Sequence, residues 1–136
     1  MPAVDIGQIT EALNDKTDRD NRNVDTVVGA DAVIEYQMPS ADNGYTWYRK
    51  YKSGWVEQGG VFSQTINTGD TAWSAVLPVP MANYYYVTNI QTDGGYAGNT
   101  TIQCENNSTT QIKGYARSPS GGGSKRIMWS VSGMAA

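Results

Sequence analysis

Histidine does not occur among the 136 residues, and cysteine occurs once, at Cys104. These two absences exclude a Ser-His or Cys-His nucleophile pair, a Cys/His zinc site and a disulfide framework. Leucine is almost missing as well, with Leu13 and Leu77 set against eleven valines and eight isoleucines. Together with nine tyrosines and four tryptophans, that bias is the composition of strands, and a helical bundle is excluded. No uninterrupted apolar run approaches the roughly 20 residues that a spanning helix needs. Met1-Pro2-Ala3-Val4-Asp5 carries neither a basic n-region nor an apolar h-region. The expectation is a chain that is neither exported by a cleaved signal nor anchored in a membrane, its unpaired thiol at home in a reducing cytoplasm.

Charge is sparse too. Ten Lys and Arg face 13 Asp and Glu, whereas Asn, Gln, Ser, Thr and Gly make up 55 residues. The charges are unevenly spread, with residues 1–35 at −5 and residues 36–136 at +2. The second value is too small, and its bases too scattered, for a nucleic-acid footprint. A mass of 14.8 kDa fits one core.

Ile6, Ile9 and Leu13 fall at helical spacing behind Asp5 as a possible N-cap, which predicts a helix over residues 5–15. So short a helix is marginal alone in water, and its isoleucine seam favours three strands over two. The polar run from Asn14 to Asn23 follows. Its aspartates invite a calcium-loop reading, but Arg22 stands where a ligand belongs and Asn23 where glycine belongs, so we read a solvated connector and no metal site. Residues 1–26 are thus an assembly and attachment segment, and residues 27–136 a β domain.

Within that domain, strand-like runs alternate with Gly, Asn, Asp, Ser and Pro turns, predicting an antiparallel β-sandwich of about eight strands. The expected strands are Val33–Gln37, Thr46–Tyr51, Trp55–Ser63, Trp73–Leu77, Tyr84–Thr92, Thr100–Glu105, Gln111–Arg117 and Lys125–Val131. Pro78 and Pro80 make Leu77 to Met81 an edge or a corner. Lys52-Ser53-Gly54 suits a three-residue hairpin loop, with Gly54 in the left-handed position that closes a G1 bulge. That loop sets Tyr51 opposite Trp55, Arg49 opposite Glu57 and Trp47 opposite Gly59 on one face, with Tyr48/Gln58 and Lys50/Val56 on the other. Trp47 is then expected to cover the bare backbone of Gly59, and Arg49 to pair with Glu57.

Catalysis finds little support in these residues. Glycoside hydrolysis needs two carboxylates about 5 to 9.5 Å apart. Asp42, Glu57, Asp70, Asp93 and Glu105 are the candidates, with Glu57 assigned to an arginine and the rest mostly in turn-like sequence. Cys104 reads as a small buried hydrophobe. The binding signal lies in the aromatics, whose flat apolar faces and polar edges suit sugar rings and protein interfaces. If Tyr84-Tyr85-Tyr86 lies in a strand, the middle ring points opposite to its neighbours, so either Tyr85 or the outer pair packs inward. The glycine-rich loops Thr92–Asn99, bearing Tyr96, and Ser118–Ser124 are the places for recognition. Tyr85, Tyr96, Asn99 and Arg117 are the candidate ligand-binding residues; no cofactor is implied.

Asn14-Asp15-Lys16-Thr17-Asp18-Arg19-Asp20 resembles a connector common in bacteriophage fibre proteins. The hairpin Gly54-Trp55-Val56-Glu57-Gln58-Gly59-Gly60, the Leu77-Pro78 corner, a tyrosine-bearing strand and the closing strand Trp129 to Gly133 are similar to the carboxy-terminal, receptor-binding β-sandwich of phage tail fibres. The resemblance implies a virion protein that is not an enzyme. It implies a homotrimer held through Ile6, Ile9 and Leu13, attached to other virion proteins by its amino-terminal segment and adhering to host-surface glycan or protein. This chain has almost no shaft before its β domain, so a capsid-bound head fibre or decoration protein is the alternative, with a polysaccharide hydrolase a distant third.

Overall fold

A computed structural model describes residues 30–93, 100–105 and 107–136. The expected helix at residues 5–15 and the connector after it lie outside the described residues. Eight strands are formed there: β1 (Val33–Gln37), β2 (Trp47–Tyr51), β3 (Trp55–Ile66), β4 (Thr71–Val76), β5 (Val87–Thr92), β6 (Thr101–Glu105), β7 (Gln111–Arg117) and β8 (Gly123–Met134). They make an antiparallel sandwich, with a five-stranded sheet in the order β1-β2-β3-β8-β5 and a three-stranded sheet in the order β4-β7-β6.

The β2–β3 hairpin has the expected register, pairing Trp47 with Gly59, Tyr48 with Gln58, Arg49 with Glu57 and Lys50 with Val56. Gly54 sits at φ +92° and donates its N–H to the Tyr51 carbonyl at 2.9 Å, closing the turn. A side chain at that φ is strained, so glycine fixes the register. A Cβ on Gly59 would lie 2.8 Å from the Trp47 ring, and one on Gly60 would meet the Trp129 indole at 3.0 Å. The glycine pair thus lets two tryptophans close on β3 from opposite faces. Glu57, however, accepts from the Tyr51 hydroxyl at 3.3 Å, and the ion pair on this hairpin joins Lys50 to Glu35 at 3.6 Å. On the face that Arg49 and Glu57 share, the Tyr51 hydroxyl takes the Glu57 carboxylate in place of the expected arginine, while the Lys50–Glu35 pair lies on the opposite face.

Alternation decides the core. Val56, Ile66, Ile127, Trp129 and Val131 point inward from the larger sheet and meet Trp73, Ala75, Ile112 and Ala116 of the smaller one. Leu77, Val79 and Met81, from the segment joining β4 to β5, close one end of this core and are all buried. Full burial of such a side chain stabilises the fold by about 1.5–3 kcal/mol. The segment is the expected corner, and it carries the chain from the small sheet to the large one.

That crossing needs backbone partners, because the segment pairs with no full strand. The Leu77 N–H reaches Thr110 O at 2.9 Å and the Met81 N–H reaches Thr109 O at 2.8 Å, both in the β6–β7 turn. Pro78 and Pro80 have no N–H to place. Val79, between them, is held by the side chain of Gln58, which is fully buried on β3. Gln58 Oε1 accepts the Val79 N–H at 2.9 Å while Gln58 Nε2 donates to Val79 O at 2.9 Å. One amide side chain therefore supplies the ladder rung that a neighbouring strand would supply elsewhere.

Tyr84-Tyr85-Tyr86 departs from expectation, since β5 begins only at Val87. Asn83 Oδ1 accepts the Tyr85 N–H at 2.9 Å, a local turn that delays the strand. Strand alternation consequently does not apply to the three rings. Tyr84 and Tyr85 both face outward with ring centroids 4.7 Å apart, whereas Tyr86 packs on the core and donates its hydroxyl to Ser108 O at 2.6 Å. Burial pushes the Tyr86 hydroxyl up to about 12, with the neighbouring Cys104 adding to the shift, so it remains a donor at neutral pH.

Replacing Gln58 with leucine keeps most of the volume but leaves the Val79 N–H and C=O buried without partners. Each orphaned group costs about 1–3 kcal/mol, so Gln58→Leu is expected to destabilise the domain by roughly 2–5 kcal/mol. Urea unfolding followed by tryptophan fluorescence measures it, and an unchanged midpoint would refute the role given to this amide.

Candidate functional site

The sandwich has two unlike ends. At one, Ala30 and Ala32, where the preceding chain joins, accept from Ser53 and Lys52 at 3.2 and 2.9 Å, and Ala135 donates to Gly54 O at 2.8 Å. The proline corner and the β6–β7 turn lie at this end too. The other end gathers residues 67–70 after β3, residues 118–122 after β7, and Asp93 and Thr100, the described flanks of the connection from β5 to β6. Since β3 runs for 12 residues at about 3.3 Å each, this second end lies roughly 36 Å from where the chain joins.

Ser118, buried between these connections, ties them together. Its N–H donates to Asn67 O at 2.9 Å, its hydroxyl donates to Gly121 O at 2.8 Å, and Thr100 Oγ1 lies 3.2 Å from it. Two arginines add charged clamps. Arg126 grips Asp93 with Nε at 2.9 Å from Oδ2 and Nη2 at 3.0 Å from Oδ1, and its backbone N–H adds a third contact at 3.3 Å. Arg117 donates from Nε and Nη2 to Asp70 Oδ1 at 2.9 and 2.6 Å. The Arg126 hydrogen bond, outweighing a small desolvation effect, holds the Asp93 carboxyl below the usual carboxylate range.

Of the residues singled out in the sequence, Arg117 belongs to this end, its guanidinium engaged by Asp70 across the β3–β4 turn. Tyr96 and Asn99 lie outside the described residues, as do Ile6, Ile9 and Leu13; the described flanks of their loop, Asp93 and Thr100, are at this end. Tyr85 is not. It stands at the opposite end, 82% exposed, separated from Arg117 by the length of β7, about 20 Å. Cys104 is half-buried, packs against the core and lies 3.3 Å from Asn107 Oδ1; burial pushes its thiol up, away from the reactive thiolate.

Sequence reasoning missed the two outward faces. On the five-stranded sheet, Val33, Tyr51, Trp55 and Met134 form one cross-strand row nearest the point where the chain joins. Successive rows toward the loop end mix polar and apolar members, with Val87 beside Ser132, Asn89 beside Ser130, and Val61 and Gln91 beside Met128. Trp55 is 39% exposed and Met134 48%, so this row presents apolar surface to solvent. On the three-stranded sheet the outward face is mostly polar, with Val76 exposed at the opposite end from the loops, and its Tyr115 rises between Ala72 on β4 and Gln103 on β6. Two hollows of about 550 and 320 Å³ flank that ring.

No protein-family model matches the chain, and no curated protein is similar to it in sequence. Among solved structures, the fold is similar to that of an N-truncated R1-type pyocin tail fibre, with a TM-score of 0.57 and 14% identity over 82% of this chain and 94% of that one. It is also similar to a longer P. aeruginosa R1 pyocin fibre, with a TM-score of 0.55 and 14% identity over 75% of this chain, which spans only 29% of that fibre. At such identity the likeness is one of fold, and it is the tail-fibre β-sandwich that the hairpin, corner and closing strand resemble in sequence.

The lowered Asp93 carboxyl gives the loop end a signed pH dependence. Its pairing with Arg126 contributes fully above the ordinary aspartate value of about 3.9 and is lost as pH falls through the lower folded value. A carboxyl-detected NMR titration is expected to place Asp93 below ordinary aspartates in the native protein and to move it upward in Arg126→Ala. A midpoint that does not respond to that substitution would show the clamp to be absent in solution.

Proposed function

We propose that the chain is a virion fibre protein, a short homotrimeric fibre whose β-sandwich head adheres to the host cell surface and carries out no catalysis. The observation that supports this most is the polarity of the domain. The preceding segment joins at one end, the tied-down turns after β3 and β7 meet at the other, and this arrangement is built on a fold similar to that of pyocin tail fibres. A head mounted by one end offers its far end and its flanks to a partner. Residues 1–26 then attach it to other virion proteins, and Tyr96, Asn99 and Arg117 fall on or beside the loops of the far end.

Trimerisation draws support from the apolar row on the larger sheet. Val33, Trp55, Val87 and Met134 are all exposed, and they lie near the end where Ile6, Ile9 and Leu13 would bring three chains together. Exposed apolar surface concentrated in one place marks a contact, and covering it while a helical seam closes beside it uses both features.

Mass photometry of the purified full chain is expected to show a trimer, and Trp55→Glu together with Val33→Asp to shift it toward monomer. A monomer at micromolar concentration in the native chain would overturn the trimer. Deleting residues 1–26 is expected to abolish incorporation into particles while the head stays folded. Particles that lack the protein yet adsorb to host cells normally would favour a purely structural head fibre or decoration protein.

A further inference from the structure

The outward face of the three-stranded sheet is built unlike any other surface of the domain. Reading across the strands, one row is Ala72, Tyr115 and Gln103, and the next is Ser74, Lys113 and Glu105. The β4 members are small, so nothing on that side covers the Tyr115 ring, which is 42% exposed. The hollow of about 550 Å³ is lined on this face by Ala72, Ser74, Glu105, Lys113 and Tyr115 and also reaches Phe62, Gln64 and Trp73, and Tyr115 lines the hollow of about 320 Å³ with Asp70, Thr101, Gln103 and Arg117. The ring is therefore a saddle between two hollows, the smaller of them toward the loop end. Both volumes are of the size that small-molecule sites occupy.

The groups around the saddle are oriented. Gln103 Nε2 donates to Glu105 Oε1 at 2.7 Å, which fixes that carboxylate beside the ring. Arg117 is held by Asp70 at the far margin. Lys113 stands on the same face as Tyr115, two residues along β7. The chemistry offered is one flat aromatic face flanked by a planar amide, a carboxylate and two cations, with small residues leaving room above them.

We infer that this face is a saccharide-binding groove in which an extended oligosaccharide crosses Tyr115, one sugar ring stacking on the phenol while its hydroxyls meet Gln103, Glu105 and Lys113. The inference rests on the adhesion reading above and places the contact on the flank of the head. A peptide fits the face poorly. Tyr115 stands on the central strand, so a peptide strand added at the free edge of β4 or β6 would lie beside the ring and not across it. A polyhydroxylated chain needs no free edge.

The test uses labelled full-length protein on a panel of bacterial strains, each untreated, oxidised with periodate to cleave vicinal diols, or treated with protease. Binding that periodate abolishes and protease spares is expected. Tyr115→Ala is expected to weaken it by about tenfold or more, Tyr115→Phe by no more than about threefold, and Tyr85→Ala at the other end to leave it unchanged. Ala72→Arg, which fills the hollow from the exposed side of β4, is expected to reduce binding as Tyr115→Ala does, and thermal unfolding confirms that each variant is folded. Periodate-sensitive binding that survives both Tyr115→Ala and Ala72→Arg would overturn the groove and leave adhesion standing. Protease-sensitive, periodate-resistant binding would overturn the ligand class. Binding to no strain would overturn the adhesion reading and the groove with it.

Discussion

The crossing between the two sheets depends on a single buried amide. β4 ends in the small sheet and β5 begins in the large one, and the five residues from Leu77 to Met81 that begin the connection contribute three side chains to the core. A buried segment outside any ladder must find partners for its peptide groups; the Leu77 and Met81 N–H groups reach the β6–β7 turn, and between the two prolines Val79 is the residue still to be held. Gln58 meets it from the opposite sheet, with acceptor and donor each 2.9 Å from Val79. Because Val79 N–H needs an acceptor, the orientation of the amide is fixed by the contact. The same side chain thereby links β3, the longest span of the large sheet, to the corner that positions the start of β5.

Much of this architecture was legible in the chain, because the signals were local. Gly54 with its flanking aromatics determines a hairpin register that the structure reproduces pair by pair. Strands β1 and β7 begin and end where alternation and turn residues place them. Gln58 was not legible as a core residue, since a glutamine in an alternating strand has the same pattern whether its face is buried or wet; only the arrival of Val79, 21 residues later, distinguishes the two. The tyrosine triplet misled for the opposite reason. Its β propensity is strong, yet Asn83 captures the Tyr85 N–H and keeps the first rings out of the sheet. The groove around Tyr115 has no local motif at all. It arises from alternate residues of three strands, and the decisive members, Ala72 and Ser74, matter for being small.

The domain separates its surfaces by polarity without using much charge. One outward sheet face has an apolar row near residue 30, the other is mostly polar around one aromatic ring with Val76 exposed near the corner, and the turns after β3 and β7 gather at the remote end. A sandwich with two solvated faces would ordinarily alternate apolar-in and polar-out on both. Departure on the larger sheet, at Val33, Trp55 and Met134, is the kind of exception that asks for a covering partner. On the smaller sheet the exposed Tyr115 stands out against Ala72 and Gln103, the small and polar members of its row.

Where charge is used, it goes to position rather than stability. Four of the charged groups in the described residues, Asp70, Arg117, Asp93 and Arg126, form the two clamps at the loop end. Exposed pairs of this kind contribute little to stability, too little to be their justification. Their geometry is more informative, since each guanidinium makes two contacts that define the approach of a connection to a strand end. Spending charge on loop placement leaves Lys113 and Glu105 as the ionic members of the groove beside Tyr115, among amides and small side chains. A surface so arranged has little long-range field with which to attract a partner. Its contact energy must come from short-range stacking and hydrogen bonds, repeated over several copies when single contacts are weak.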